Sequence, residues 1–277
     1  MFKRIFIFCF RLARQRVVTL AIQIRNIKFA FKVLLHVKNW KDYYQNFFFE
    51  PKEESAVYEL KNGLKFNTRT KTSDKGIFVE LTLGDEYLID DIELPKDSTV
   101  LDIGGQIGVF SVYIAERAGR VFSFEPVPGN FQMLKENIRL NKLEKKIIPF
   151  NLAVSDKKGK EKIFLHNENS GAHSIYYKGK EFVEAKTTTL KDIFLEKNIE
   201  KCDLIKMDIE GAEYGVLYNL DEKIFIKIER IAMECHELNN EKMNWKHMKK
   251  FLESKGYKVK FRTSLCAYTI LLAKKIH

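Results

Sequence analysis

A doubly wound α/β fold, a mostly parallel sheet with helices on both faces, is predicted by three features of this 277-residue chain. The first is VLDIGGQIGVF at 100–110, where a short apolar run feeds a glycine-rich turn and then an amphipathic segment. The second is RVFSF at 120–124, closed by Glu125-Pro126 about one βαβ half-unit later. The third is the alternation that follows. It places strands at 99–103, 120–124, 147–154, 203–208 and 230–236, with helices at 108–118, 128–141, 189–197, 212–220 and 242–255. Strands 257–263 and 267–274 are close enough to end the chain as an antiparallel hairpin. In such a sheet ligands belong at the carboxyl ends of the strands.

Gly104, Gly105 and Gly108 let the backbone approach a ligand, and Asp102 at the strand's end puts a carboxylate beside the same pocket. A dinucleotide is disfavoured, because Ile103 occupies the place of the first glycine of a G-x-G-x-x-G fingerprint. Glu125 stands where an acid grips ribose hydroxyls. Asp102, the glycines and Glu125 together suggest S-adenosylmethionine.

DLIKMDIEGAE at 203–213 ends the fourth core strand, which lies beside the first in a doubly wound sheet. With strand geometry continued, Asp208 and Glu210 point the same way roughly 7 Å apart. Glu213 falls in the first turn of the next helix, where the macrodipole alone favours an acid. Methyl transfer is an in-line displacement at an activated sulfonium carbon, so the protein mainly positions the acceptor oxygen and removes its proton. Asp208 is the candidate base. Glu210, or His236 from MECH at 233–236, could share that role, orient a sugar hydroxyl, or with Asp208 hold a divalent cation. The cation is an open option that the residues do not favour. Lys206 and Glu213 are further candidates on the acceptor side, Lys206 alternatively being paired with one of these acids. Amino-group methyltransferases commonly place Asn or Asp before Pro-Pro-Tyr after this strand; no such run occurs here, so oxygen is the expected acceptor.

Composition, at 45% hydrophobic and 31% charged, is that of a globular protein, and no stretch approaches the roughly 18 to 20 apolar residues of a spanning helix. Cys9, Cys202, Cys235 and Cys266 form no C-x-x-C pair, which fits a reducing cytoplasm. The net charge of +11 is local: residues 1–41 hold ten basic side chains and no acid, leaving 38 basic against 37 acidic residues elsewhere. At helical spacing the basic residues gather on one side, opposite Phe6, Leu12, Val17, Leu20, Ile24, Ile27, Phe31 and Leu34. A segment of this kind could lie on an anionic membrane, on the inner face of the cell membrane, or cap the catalytic body or a second subunit. As a phosphate-binding arm it would instead suit an RNA methyltransferase, with steeply salt-dependent binding. The expected organisation is a basic amphipathic helical segment at 1–45, a lid or brace at 46–95 and the catalytic domain at 96–277. VYELKNGLKF at 57–66 reads as a hairpin with a type I′ turn at Asn62-Gly63.

From 97 to 236 the chain resembles the FkbM-type S-adenosylmethionine-dependent methyltransferases. The resemblance rests on VLDIGGQIG at 100–108, on Phe124-Glu125-Pro126 followed by Leu134, Asn137, Leu140 and Asn141, on Ala153-Val154-Ser155, on Thr188-Thr189-Leu190, and on IKMDIEGAE at 205–213. It implies a Rossmann-like class I methyltransferase fold. Asp102, Gly104 and Gly108 would line the methionine and ribose side, Glu125 and Pro126 would sit at the ribose, and 151–155, with Asn151, Ala153 and Ser155, would meet the adenine. Asp208 and Glu210 would face the acceptor, with the loop SGAHS at 170–174, including His173, nearby. The family's usual Gly-Ala-Asn-x-Gly turn reads Gly104-Gly105-Gln106-Ile107-Gly108 here, and Val127 replaces an Asn often found after Glu-Pro. The implied activity is O-methylation of sugars or polyketide-type products. With the basic segment, this points to a saccharide or lipid-linked saccharide precursor of a bacterial surface glycan. A non-catalytic scaffold with the same fold is the remaining alternative.

Overall fold

Residues 28–49, 51–165, 181–238, 240–263 and 268–276 are described by the structure, a computed structural model. Its first part consists of helix α1 (28–36), helix α2 (Trp40–Phe48), a hairpin of β1 (Ser55–Glu59) and β2 (Lys65–Arg69), and helix α3 (Asp74–Leu83). The core then alternates through β3 (Thr99–Ile103), α4 (Val109–Ala115), β4 (Arg120–Phe124), α5 (Pro128–Leu140) and β5 (Ile147–Phe150). A side sheet follows, built from β6 (Ala153–Val154), β7 (Gly159–Phe164) and β8 (Phe182–Thr188). The chain returns to the core with α6 (Leu190–Glu196), β9 (Leu204–Met207), α7 (Glu213–Tyr218), α8 (Glu222–Phe225), β10 (Arg230–His236) and α9 (Trp245–Ser254). It ends in the predicted hairpin, β11 (Tyr257–Thr263) and β12 (Tyr268–Lys275).

The main sheet runs β11-β12-β10-β9-β3-β4-β5, parallel from β10 to β5, with β12 antiparallel to both its neighbours. Every residue of β3 and β9 is buried, as expected of strands covered on both faces. Alternate side chains feed two cores: Val100, Val121 and Leu204 pack on one face, and Leu101, Ile103, Ile205 and Met207 on the other. Strand order reverses between β3 and β9, so the loops leaving these strands diverge and open a crevice between them.

Three local features differ from expectation. Strand 147–154 divides at 151–152: β5 stays in the main sheet, whereas β6 leaves it to pair with β8. The hairpin turn is not type I′, because Asn62 keeps a negative φ. Gly63 N–H bonds Leu60 O across Lys61-Asn62, and Gly63 alone takes the left-handed conformation at φ +97°. Val33 in α1 and Val37 just past its end are buried, while Phe31 and Leu34 of α1, expected on one apolar face, are exposed. Residues 1–27, which carry the rest of that basic segment, lie outside the described residues.

The N-terminal elements are packed onto the core. Val33, Val37, Tyr43, Tyr58, Phe66 and Phe78 share one apolar cluster with Val100, Ile107 and Val109. A polar tie reinforces the contact: buried Asp74, opening α3, accepts from Arg69 Nε (2.8 Å) and Nη2 (3.0 Å) and from Gln106 Nε2 (2.8 Å). Asp74→Ala should therefore lower stability by about 3 kcal/mol, through loss of a buried charge partner. That corresponds to a fall in Tm of roughly 6–12 °C. Calorimetry showing an unchanged Tm would reduce the tie to a bystander.

Candidate functional site

At the carboxyl ends of β3, β4, β9 and β10 lies a cavity of about 220 Å³, roofed by Ile77, Glu80 and Leu81 of α3. Its floor is set by the register of β3 and β9, which places Asp102 opposite Lys206. Asp102 is fully buried and does not border the cavity. Its Oδ1 lies 3.4 Å from Lys206 Nζ, and its Oδ2 accepts from Ser111 Oγ (2.6 Å) and Ser123 Oγ (3.3 Å). The carboxylate expected to meet a ligand is thus used to fix the strand ends. Lys206 does border the cavity. Its ammonium donates to Gly104 O (2.6 Å) and lies 5.4 Å from the centre of the Tyr87 ring.

The glycine turn is shaped by close approach. Gly104, at φ +84°, backs onto β9 so tightly that a Cβ would stand 1.9 Å from Asp208 O. Gly108, at φ +87°, starts α4 against Leu134, away from the cavity. Gln106 is left-handed, at φ +48°; its N–H donates to Glu125 Oε2 and that of Val127 to Glu125 Oε1, both at 2.8 Å. Burial pushes Glu125 up to about 7 in spite of these two donors. The Gln106 side chain, a departure from the family's turn, is the one that reaches Asp74.

Gly104, Gly105, Gln106, Glu125, Pro126 and Ala153 all border the cavity. Asn151 and Ser155 do not. Asn151 Nδ2 donates to the carbonyls of Glu125 (2.9 Å) and Pro126 (3.0 Å), holding the wall from behind. Ser155 Oγ donates to Glu161 Oε1 (3.1 Å) on β7. Glu161 borders the cavity, and its buried Oε2 has no hydrogen-bond partner among the described residues.

On the opposite wall strand geometry stops at Met207, so Asp208 and Glu210 do not continue the strand's alternation. Glu210 is left-handed at φ +52°, and Gly211 follows at +105°. Both acids border the cavity. Glu213 is fully buried and shapes this turn, accepting from Ile209 N–H (2.9 Å) and Gly211 N–H (2.8 Å). It also lies 3.2 Å from His236 Nδ1. Nε2 of His236 faces Glu234 Oε1 (3.1 Å) and Glu210 Oε2 (3.2 Å), so the ring stands behind two cavity acids. Tyr87 O–H donates to Asp208 Oδ2 (2.9 Å). Burial opposes a proton on His236, but the hydrogen bond and charge of Glu213, the hydrogen bond of Glu234 and the charge of Glu210 outweigh it and raise its value. Burial, with repulsion from Asp208, pushes Glu210 up to about 8 and Glu234 up to about 7, against the pull of His236. Asp208, Glu234 and His236 also bring one donor atom each within 4.8 Å of one another, the set a divalent cation could use.

Tyr87, Glu234 and Glu161 were not identified from sequence. Glu234 carries a signal, since it lies two residues before His236 and shares its face of the strand. Tyr87 and Glu161 carry none. His173 lies outside the described residues.

The family model described as methyltransferase FkbM domain matches residues 102–259. The chain is 27% identical to the AMB antimetabolite synthetase AmbE of Pseudomonas aeruginosa, over 58% of this chain but only 9% of that one. It is 24% identical to the 31-O-demethyl-FK506 methyltransferase FkbM of Streptomyces tacrolimicus, over 55% and 71% of the two chains. Identity to the hexuronic acid methyltransferase AglP of Haloferax volcanii is 28%, over 52% and 58%. A solved precorrin-6y C5,15-methyltransferase from Geobacter metallireducens superposes with a TM-score of 0.44 at 13% identity, covering 76% of this chain and 93% of that one.

The acid cluster fixes the sign of the protein's pH dependence. Glu210, Glu234 and Glu125 hold protons up to about 8, 7 and 7, where an unfolded carboxyl releases them near 4.5; His236 likewise keeps its proton well above 6.5. A proton held more tightly in the folded state stabilises the fold below the unfolded value and is lost as a stabiliser as pH rises through the folded one. In EDTA, urea unfolding should therefore show the ligand-free protein at least about 2 kcal/mol more stable near pH 6 than near pH 8.5, each displaced group contributing up to about 1.4 kcal/mol per pH unit. Stability that is flat or rising toward alkaline pH would refute this account of the cluster.

Proposed function

The chain belongs to the FkbM methyltransferase family, and on that premise we propose that it transfers a methyl group from S-adenosylmethionine to a sugar hydroxyl of a surface-glycan precursor. The observation that carries the proposal is Asp208: a carboxylate in the cavity wall, oriented by the Tyr87 hydroxyl, on the segment against which the glycine turn is pressed. The O-methyltransferase and hexuronic acid methyltransferase named among the relatives support oxygen and a saccharide.

The residues fit the cofactor. Glu125, fixed by two backbone N–H groups, is the acceptor for ribose hydroxyls, and the orphaned Oε2 of Glu161 is an acceptor for the adenine amine. When bound, S-adenosylmethionine supplies a methyl group on a sulfonium sulfur that needs no further activation. The protein's remaining work is to hold the acceptor hydroxyl in line and take its proton. Asp208 would take the hydroxyl proton as the O–C bond to the methyl forms and the C–S bond breaks, leaving S-adenosylhomocysteine with a neutral thioether sulfur. Glu210 and Glu234, facing the same space, offer hydrogen bonds to neighbouring sugar hydroxyls, with His236 and Glu213 holding them in position.

Calorimetric titration with S-adenosylmethionine and S-adenosylhomocysteine, followed by isotopic methyl transfer to sugar nucleotides and lipid-linked saccharides, tests the proposal. Asp208→Asn should bind S-adenosylhomocysteine within about twofold of the parent while kcat falls at least about 10²-fold, the scale of a lost general base. Full activity in that variant would remove Asp208 as base. Glu161→Ala should weaken S-adenosylhomocysteine about tenfold, a lost hydrogen bond to a charged acceptor. It should also abolish any preference over the analogue in which an oxo group replaces the adenine amine; a preserved preference would place the adenine elsewhere.

A further inference from the structure

Among the described residues, the N-terminal elements hold a cluster of exposed large apolar side chains. Phe31, Leu34, Leu35, Phe47, Phe48 and Phe49, all between 31 and 49, are exposed, and the three consecutive phenylalanines are 58%, 70% and 71% accessible. They are not frayed ends of the core. Tyr43 and Tyr44, one turn before them on α2, are anchored: Tyr43 is buried against Tyr58, and Tyr44 O–H donates to Ala30 O on α1. Phe47 stacks on Tyr43 and Phe48 on Tyr44, so a rigid base presents the aromatic tip to solvent. Isolated exposed apolar residues need no explanation, but a contiguous aromatic group on a firm support marks an interaction surface.

Charge identifies the partner. Through residue 50 the sequence sets ten basic side chains against only Asp42 and Glu50. Lys41 lies 5.7 Å from the Trp40 ring and Lys75 lies 5.2 Å from the Phe47 ring, so cations border the aromatic surface itself. Amphipathic aromatic rings flanked by lysines match the headgroup region of an anionic bilayer, where rings enter the interface and ammonium groups meet lipid phosphates.

The placement also relates this surface to the cavity. Lys75 Nζ, near the start of α3, donates to Asn46 O (2.6 Å), and Lys32 on α1 donates to Leu83 O at its end. Ile77, Glu80 and Leu81, between those two points, roof the cavity. We propose that the aromatic end of α2, with Lys41 and Lys75 beside it, docks the protein on an anionic membrane surface, holding the cavity beside the lipid headgroups. This surface does not depend on the identity of the cofactor or acceptor.

The test is sedimentation of the full chain with phosphatidylcholine vesicles, with and without phosphatidylglycerol, at low and high salt. Binding should require the anionic lipid and weaken with salt. The triple variant Phe47→Ser, Phe48→Ser, Phe49→Ser should lose at least about tenfold in partitioning with circular dichroism and Tm unchanged, because these side chains bury little in the fold. Lys28→Gln with Lys41→Gln should weaken binding to anionic vesicles only. Vesicle binding unaffected by the triple variant would overturn the proposal. So would a full chain that ignores vesicles, whether it stays monomeric or forms a dimer that the triple variant disrupts; the latter result would make a second copy the occupant of the patch.

Discussion

The buried pair of Asp102 and Lys206 is the interaction on which the rest of the site depends. These residues face each other across β3 and β9, where strand order reverses and the sheet's two halves meet. A lysine almost fully buried is tolerated only with its charge compensated, and the pair meets that need while tying together the two loops that form the cavity. Through Nζ, Lys206 also holds the carbonyl of Gly104, so the glycine turn and the end of β9 take their positions from one ammonium group. The acid near the end of β3 thereby acts by positioning, while Glu125 and Asp208 are among the acids that border the cavity.

A second balance of charge operates on the opposite wall of the cavity. Glu210, Glu213 and Glu234 surround one imidazole, and Asp208 lies close by. The two backbone N–H groups that hold Glu213 make it the fixed member, which orients His236 and leaves Glu210 and Glu234 to face the cavity. The left-handed Glu210 and the Gly211 that follows are the conformational cost of folding this turn tightly enough for Glu213 to reach back to it.

Much of this was legible in the sequence where burial and local motifs speak clearly. β3, β4, β10 and β11 begin and end at the predicted residues, since strands flanked by glycine or charged turns leave little choice of boundary. The glycine turn, Glu125, Lys206, Asp208 and Glu210 all reach the cavity wall because each lies at the end of such a strand. What was not legible depends on distant packing. α3 contains the run Gly76-Ile77-Phe78-Val79, which has poor helical propensity, and is held helical by burial of Phe78 and Val79. β7 and β8 alternate lysine and glutamate over exposed faces and give only a weak strand signal. Tyr87 and Glu161 reach the cavity from segments with no motif at all, and Asp102 looked like a ligand contact because sequence does not show which side of β3 its carboxylate takes.

The contact from Gln106 to Asp74 limits how this protein can be recombined with its relatives. The residue in the middle of the glycine turn and the residue that opens α3 share one half-buried hydrogen bond, although 32 positions separate them. A chimera that joined these N-terminal elements to a turn without Gln106 would remove one of the donors to a buried carboxylate, leaving Arg69 to hold it. A crossover point between residues 69–74 and position 106 would separate two halves of a single interaction.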